Sequence, residues 1–167
     1  MSRVRQHGAY TVEFAIVGLL FFVLLFGVLE MGRLLFTVNA LNESARRGAR
    51  LAAVCNIQDP RILRRAIFND ADQSGTSPLI GNLETSHLRL VYLNQDGAQV
   101  ASPADTNGVT GYRAIRYVQL RIEGFPFELL IPTLQRVITL PTFQSTLPRE
   151  SLGRHPEANV VPEITPC

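Results

Sequence analysis

The chain has 167 residues, 46% of them hydrophobic and 18% charged, with a formal charge of +2. That length suits one domain or a small domain with an appended helix, and the composition excludes a disordered chain, which lacks the apolar surface to bury a core. All sixteen basic residues are arginine, and so small a net charge excludes a strongly basic nucleic-acid binder resting on many phosphate contacts.

The first predicted element is a membrane-spanning helix over residues 9–29. Its only charged residue is Glu13, and the run Leu19-Leu20-Phe21-Phe22-Val23-Leu24-Leu25-Phe26 is apolar on every side. Roughly 20 such residues cross the hydrocarbon of a bilayer, and a small soluble domain could not cover a helix that is apolar all round. Arg3 and Arg5 in the short head 1–8 place the N-terminus in the cytoplasm and the rest of the chain outside it, because long translocated segments cross regardless of their own arginines. The end of the run, Gly27-Val28-Leu29-Glu30-Met31-Gly32, offers no small-x-small cleavage pattern, so the helix reads as an anchor retained in the protein. A carboxylate inside the span is costly unless hydrated or paired. Glu13 either lies hydrated near the cytoplasmic interface, within about two turns of Arg5, or is answered by another charge.

Beyond the span, residues 30–55 continue the helix as a stalk. Leu34, Val38, Leu41, Ala45, Gly48, Ala49 and Ala52 recur at helical spacing, and Arg33, Asn39, Glu43, Arg46, Arg47 and Arg50 lie largely off that stripe. The small residues among them admit close approach by another element, foremost a sheet of the same chain and alternatively a neighbouring subunit. Glu30 with Arg33, and Glu43 with Arg46 and Arg47, are helix-spaced ion pairs.

The remainder, residues 56–147, is predicted to be an α+β head. Asp59-Pro60 marks an N-cap and first helical position, followed by a short helix carrying Ile62, Leu63, Ala66, Ile67 and Phe68. A loop rich in Gly, Ser and Pro covers 73–84. Strands are expected over 87–93, near 99–101 after the turn dipeptide Asp96-Gly97, over 114–123, where Ala114, Val118, Leu120 and Ile122 share one face, and over 137–147, where Pro141 pushes the strand toward a sheet edge. The apolar stretch Phe125-Pro126-Phe127-Glu128-Leu129-Leu130-Ile131-Pro132 reads as a short helix under the sheet, or as an exposed patch for a neighbouring subunit or the membrane surface. Residues 148–167 read as an irregular, poorly ordered C-terminal tail. The fold class is therefore a long N-terminal transmembrane and stalk helix plus a short second helix on a small antiparallel sheet.

Cys55 and Cys167 are the only cysteines; an even pair in an oxidising compartment fits a disulfide, and two unrelated thiols are the other reading. His7, His87 and His155 are scattered, and no Ser, Cys or carboxylate stands in a catalytic or metal-binding frame, so neither an enzyme nor a cofactor is expected.

The order Arg5-Gln6-His7-Gly8, Ala9-Tyr10-Thr11-Val12-Glu13-Phe14 and then the apolar run resembles a type IV pilin-like leader. It is most similar to that of the TadE-like minor pilins of the tight-adherence (Flp) pilus system. The likeness continues through Ser44-Ala45-Arg46-Arg47-Gly48-Ala49-Arg50 and returns loosely at Phe127-Glu128-Leu129-Leu130-Ile131-Pro132 and Val137-Ile138-Thr139-Leu140; Pro141 and Pro148 depart from the family's last strand. The resemblance implies a pilin-like fold and cleavage by a prepilin peptidase between Gly8 and Ala9, with Glu13 at the fifth mature position beside Phe14. It further implies that the ammonium freed on Ala9 pairs with the glutamate of a neighbouring subunit. Its implied partners are the prepilin peptidase, the inner-membrane assembly platform, other major and minor pilins and the lipid bilayer. The implied location is the bacterial inner membrane, single pass, with incorporation into a surface pilus. The contrasting expectation is a permanently anchored extracytoplasmic binding or secretion-accessory module whose leader is never cut.

Overall fold

The structure, a computed structural model, describes residues 7–106, 110–130, 136–155, 164 and 167. The head residues Arg3 and Arg5, the end of the apolar stretch at Ile131 and Pro132, and most of the tail beyond His155 lie outside the described residues.

One uninterrupted helix, α1 (His7–Val54), takes up 48 residues. No proline interrupts it, and at 1.5 Å per residue it is about 70 Å long. Its two halves differ in what surrounds them. From Ala9 to Leu29 the side chains stand in the open, whereas from Thr37 onward one face is buried. That face consists of Leu41, Ser44, Ala45, Gly48, Ala49 and Ala52, the stripe that the 3.6-residue period of a helix brings together.

A second helix, α2 (Pro60–Ala66), begins where the sequence marks it: Asp59 is extended and its carboxylate accepts from the Arg61 N–H at 2.9 Å, with Pro60 in the first turn. It ends at Ala66, short of the expected Phe68, because Phe68 adopts a positive φ of 70° that closes the helix. The Phe68 ring then takes the Arg47 guanidinium 5.5 Å from its centroid.

Among the described residues five strands follow: β1 (Leu88–Leu93), β2 (Tyr117–Ile122), β3 (Pro126–Glu128), β4 (Val137–Thr139) and β5 (Phe143–Pro148). The main sheet is antiparallel in the order β1-β2-β5, with Leu120 opposite Leu90 on one side and Ser145 on the other. β3 and β4 form a separate two-stranded ribbon, with Phe127 opposite Ile138 and Glu128 opposite Val137. The expected strand near residues 99–101 is a single bridge, Gln99 to Leu93, across a turn in which Gly97 takes a φ of 78°.

Three expectations are corrected here. In the apolar stretch that begins at Phe125, Pro126–Glu128 is an extended strand and not a helix. Prolines at 126 and 132 remove backbone donors, and alternation puts Phe127 inward and Glu128 outward. The strand expected over 137–147 is two strands in different sheets, broken at Pro141, which no central ladder accepts. The strand expected from Ala114 starts at Tyr117, since Tyr112–Ala114 forms a 3-10 turn.

The core lies between the buried half of α1 and the main sheet. In its membrane-side part Leu41, Ala45, Ala49, Ile67 and Leu83 pack with Leu120, Ile122, Phe125 and Phe127. In its far part Ala52, Cys55 and Ile62 pack with Tyr92, Ile115, Val118 and Leu152. Burial pushes the Tyr92 hydroxyl up to about 12, and its oxygen accepts the N–H of Gln58, a residue at positive φ after the stalk helix. Leu152 is fully buried although it belongs to the expected loose tail. Tail residues stop α1: the N–H groups of Glu150 and Leu152 reach the Ala53 carbonyl, both at 3.1 Å, and that of Gly153 reaches the Val54 carbonyl at 2.7 Å. These bonds satisfy carbonyls that every helix C-terminus leaves without an intrahelical partner.

Candidate functional site

Gly8 and Ala9 lie in the first turn of α1, and Glu13 and Phe14 lie one turn further. Ala9 and Glu13 are four residues apart on a helix, which sets them one above the other on the same face. Both Glu13 and Phe14 are exposed, and among the described residues no cation pairs with Glu13. The apolar segment that follows is the one helix among the described residues long and apolar enough to cross a membrane, and none of its most apolar window is covered by the rest of the chain.

The head first meets the helix at Glu30 and Arg33, immediately after the apolar run. The Arg33 guanidinium binds the Glu30 carboxylate at 2.5 Å, donates to the Glu128 carbonyl of β3, and lies 4.2 Å from the centroid of the Phe127 ring. Glu30 in turn accepts the Leu130 N–H at 3.4 Å. Two residues of the helix therefore clasp the β3-β4 ribbon by its backbone. The hydrogen bond from Arg33 holds the Glu30 carboxyl below its usual range, against an opposing pull from desolvation. Spacing alone pairs Glu30 with Arg33; the attachment of Arg33 to Glu128 and of Glu30 to Leu130, some 95 to 100 residues away, has no signal in the sequence.

At the far end Cys55 and Cys167 are joined in a disulfide with their Cα atoms 5.5 Å apart, across a sequence separation of 112. Asp59 works on both sides of this junction. One carboxylate oxygen caps α2, and the other accepts the Cys167 N–H at 3.4 Å.

The one histidine in the sheet region, His87, has a structural role. His87 accepts the Glu84 N–H at Nδ1 and meets the edge of Phe125, with ring centroids 5.9 Å apart. Among the described residues no group of three His, Cys, Asp or Glu side chains could hold a metal ion.

No curated protein and no solved structure matches the chain. One family model does, and the matched stretch lies wholly within α1, taking in Gly8, Ala9, Glu13, the apolar run and most of the buried stripe. Residues 8–50 match the model of the TadE-like protein family, and over that stretch the chain is similar to it.

Proposed function

We propose that this chain is a minor pilin-like structural and assembly subunit of a Tad/Flp-type pilus, anchored by α1, trimmed by a prepilin peptidase between Gly8 and Ala9, and assembled through its N-terminal helix. The observation that carries the reading is the coincidence of the TadE-like match with α1. Within that one helix an uncovered apolar half is followed by a half built into the chain's own head. Such a helix holds the head rigidly while offering its whole N-terminal surface to lipid or to other helices. The partners are the prepilin peptidase, the inner-membrane assembly platform and other pilins.

Gly8 suits the cut. Glycine is among the weakest helix formers, and terminal turns fray, so the Gly8–Ala9 bond opens to a protease without disturbing the span. The Cys55–Cys167 disulfide supports a head outside the cytoplasm, where disulfides persist, and thus an N-terminus inside.

The test is the intact mass of the protein recovered from bacterial membranes containing active peptidase. Loss of residues 1–8 is expected. Full-length protein there overturns processing and favours a permanently anchored module with an uncut leader. A substitution at Gly8 abolishes the mass change if the site is assigned correctly.

A further inference from the structure

The β3-β4 ribbon hangs at the end of the head nearest the apolar run; Phe127 of β3 is buried in the core, but three apolar side chains in or just beside the ribbon are not. Leu130, Val137 and Ile138 are 67%, 63% and 44% exposed. Leu79 from the preceding loop and Phe36 from α1 are also exposed, and together with Leu130 they border an open groove of about 350 Å³ next to Arg33, while Leu130 and Val137 border a second depression. Scattered single apolar residues on a surface need no explanation, but a contiguous group does.

The height of this group along α1 is set by the Glu30 clasp. Leu130 donates its N–H to Glu30, and Glu128 receives Arg33 through its carbonyl, so the ribbon is tied to the helix within one turn of Leu29. Glu30 lies 21 residues past Ala9, about 32 Å along the axis, against roughly 30 Å of hydrocarbon. With α1 across the bilayer, the ribbon falls in the interfacial layer, where apolar side chains bury about 5–10 Å into the boundary between headgroups and acyl chains. The polar groups at this height suit the same layer. The Arg33 and Glu30 charges neutralise each other, and the exposed Arg136 at the start of the β4 side can reach lipid phosphate as long arginine side chains do at interfaces.

We propose that the β3-β4 ribbon is a membrane foot: Leu130, Val137 and Ile138 rest in the outer interfacial layer of the bilayer and set the height of the head above it. The inference rests on α1 crossing the bilayer and is independent of leader processing and pilus incorporation. Lipid is the occupant the geometry favours over a second copy of the chain, because the uncovered apolar surface of α1 runs without a break up to the level at which the ribbon is clasped.

The chain contains no tryptophan, so single indole reporters test this in full-length protein reconstituted into phosphatidylglycerol and phosphatidylethanolamine vesicles. In Leu130→Trp and Val137→Trp the emission is expected to shift to the blue and to fall by roughly half when the lipids carry bromine near their carbonyls, with less quenching by bromine near the chain ends, as befits a shallow site. Tyr117→Trp, at the far end of β2 where Pro148 pairs with it, should report water and no quenching. Phe22→Trp, inside the span, should be quenched from the chain ends. A water-like, unquenched signal at 130 and 137 with normal quenching at 22 overturns the foot alone. Loss of quenching at 22 as well overturns the span and the foot together. A blue-shifted but unquenched signal at 130 that turns water-like as protein is diluted in lipid assigns the patch to a neighbouring copy and overturns the proposal.

Discussion

Gly48 of α1 lies directly beneath the side chain of Leu120 on β2, so close that a Cβ at position 48 would collide with it and would also come within 2.9 Å of the Ala66 Cβ on α2. α1, α2 and β2 meet at this point, and the contact is possible only because position 48 carries no side chain. Gly48→Val is expected to destabilise the folded protein in detergent micelles by about 2–3 kcal/mol, the overpacking cost of a tight core. Leu120→Ala alone should cost about 2–5 kcal/mol through the cavity it leaves. Denaturant unfolding of both variants and their combination checks the relationship. The double variant should be more stable than the sum of the two losses, and strict additivity would mean that the two residues do not share the space.

Much of this junction was legible in the sequence. Leu41, Ala45, Gly48, Ala49 and Ala52 recur with the helical period, and their small size pointed to close packing on the chain's own sheet, where the structure places them. The alternation of Val118, Leu120 and Ile122 and the Asp59-Pro60 helix start were local signals of the same kind. What escaped depended on distant partners. Phe125 to Glu128 is apolar enough for either a buried helix or a strand, and composition over so short a run cannot decide between them; pairing with β4 does. Leu152 looked like part of a loose tail because its place at the end of α1 is filled from nearly a hundred residues away. The N-terminal segment was legible for a different reason. Its similarity to the TadE-like family rests on a short contiguous order of residues that the family model also matches, and nothing distant is needed to read it.

The tail and the Cys55–Cys167 disulfide form one closure over the end of the stalk. The bridge links residues separated by 112 positions, and a loop of that length corresponds to about 4–5 kcal/mol in the chain-entropy description, with delivered values nearer 2–4. Cys167→Ser is expected to lower the unfolding free energy by about that delivered amount, and added reductant should do the same to the native protein while leaving the variant unchanged. Equilibrium unfolding with and without reductant checks both statements. Leu152→Ala should cost about 2–5 kcal/mol with the bridge intact, since its side chain is fully buried. A Leu152→Ala protein as stable as the parent would show that the tail is held by the bridge alone.

The clasp at Glu30 predicts a pH dependence confined to one end of the head. Hydrogen bonding from Arg33 lowers the Glu30 carboxyl from its ordinary 4.5. A group whose folded pKa is depressed contributes stability that is fully present above its unfolded value and lost as the pH falls through the folded one. Acidification below 4.5 should therefore release the β3-β4 ribbon while the β1-β2-β5 sheet stays paired. Hydrogen exchange at the Leu130 amide, which donates to Glu30, should accelerate in that range beyond the intrinsic rate. Glu30→Gln should abolish the pH step, and a step that persists in that variant would assign it to another group.

Glu13 carries the last prediction. It is exposed on the apolar part of α1, one turn from Ala9, and among the described residues no cation answers it. A lone carboxylate within a membrane span costs about 2.5–3.5 kcal/mol on insertion scales, so a second charge that arrives later in the protein's life would gain from meeting it. The proposed cleavage after Gly8 would supply such a charge as the ammonium of Ala9, and stacked subunits would place each ammonium near the carboxylate of a neighbour in a medium where neither is well solvated. Glu13→Gln leaves the Gly8–Ala9 bond and the apolar run untouched, so processing by intact mass should be unchanged. Incorporation into sheared pili should fall, because the new ammonium then has only a neutral amide to meet. A Glu13→Gln subunit that is trimmed and recovered in pili at the parental level would remove the carboxylate from assembly and leave it a hydrated group at the cytoplasmic interface.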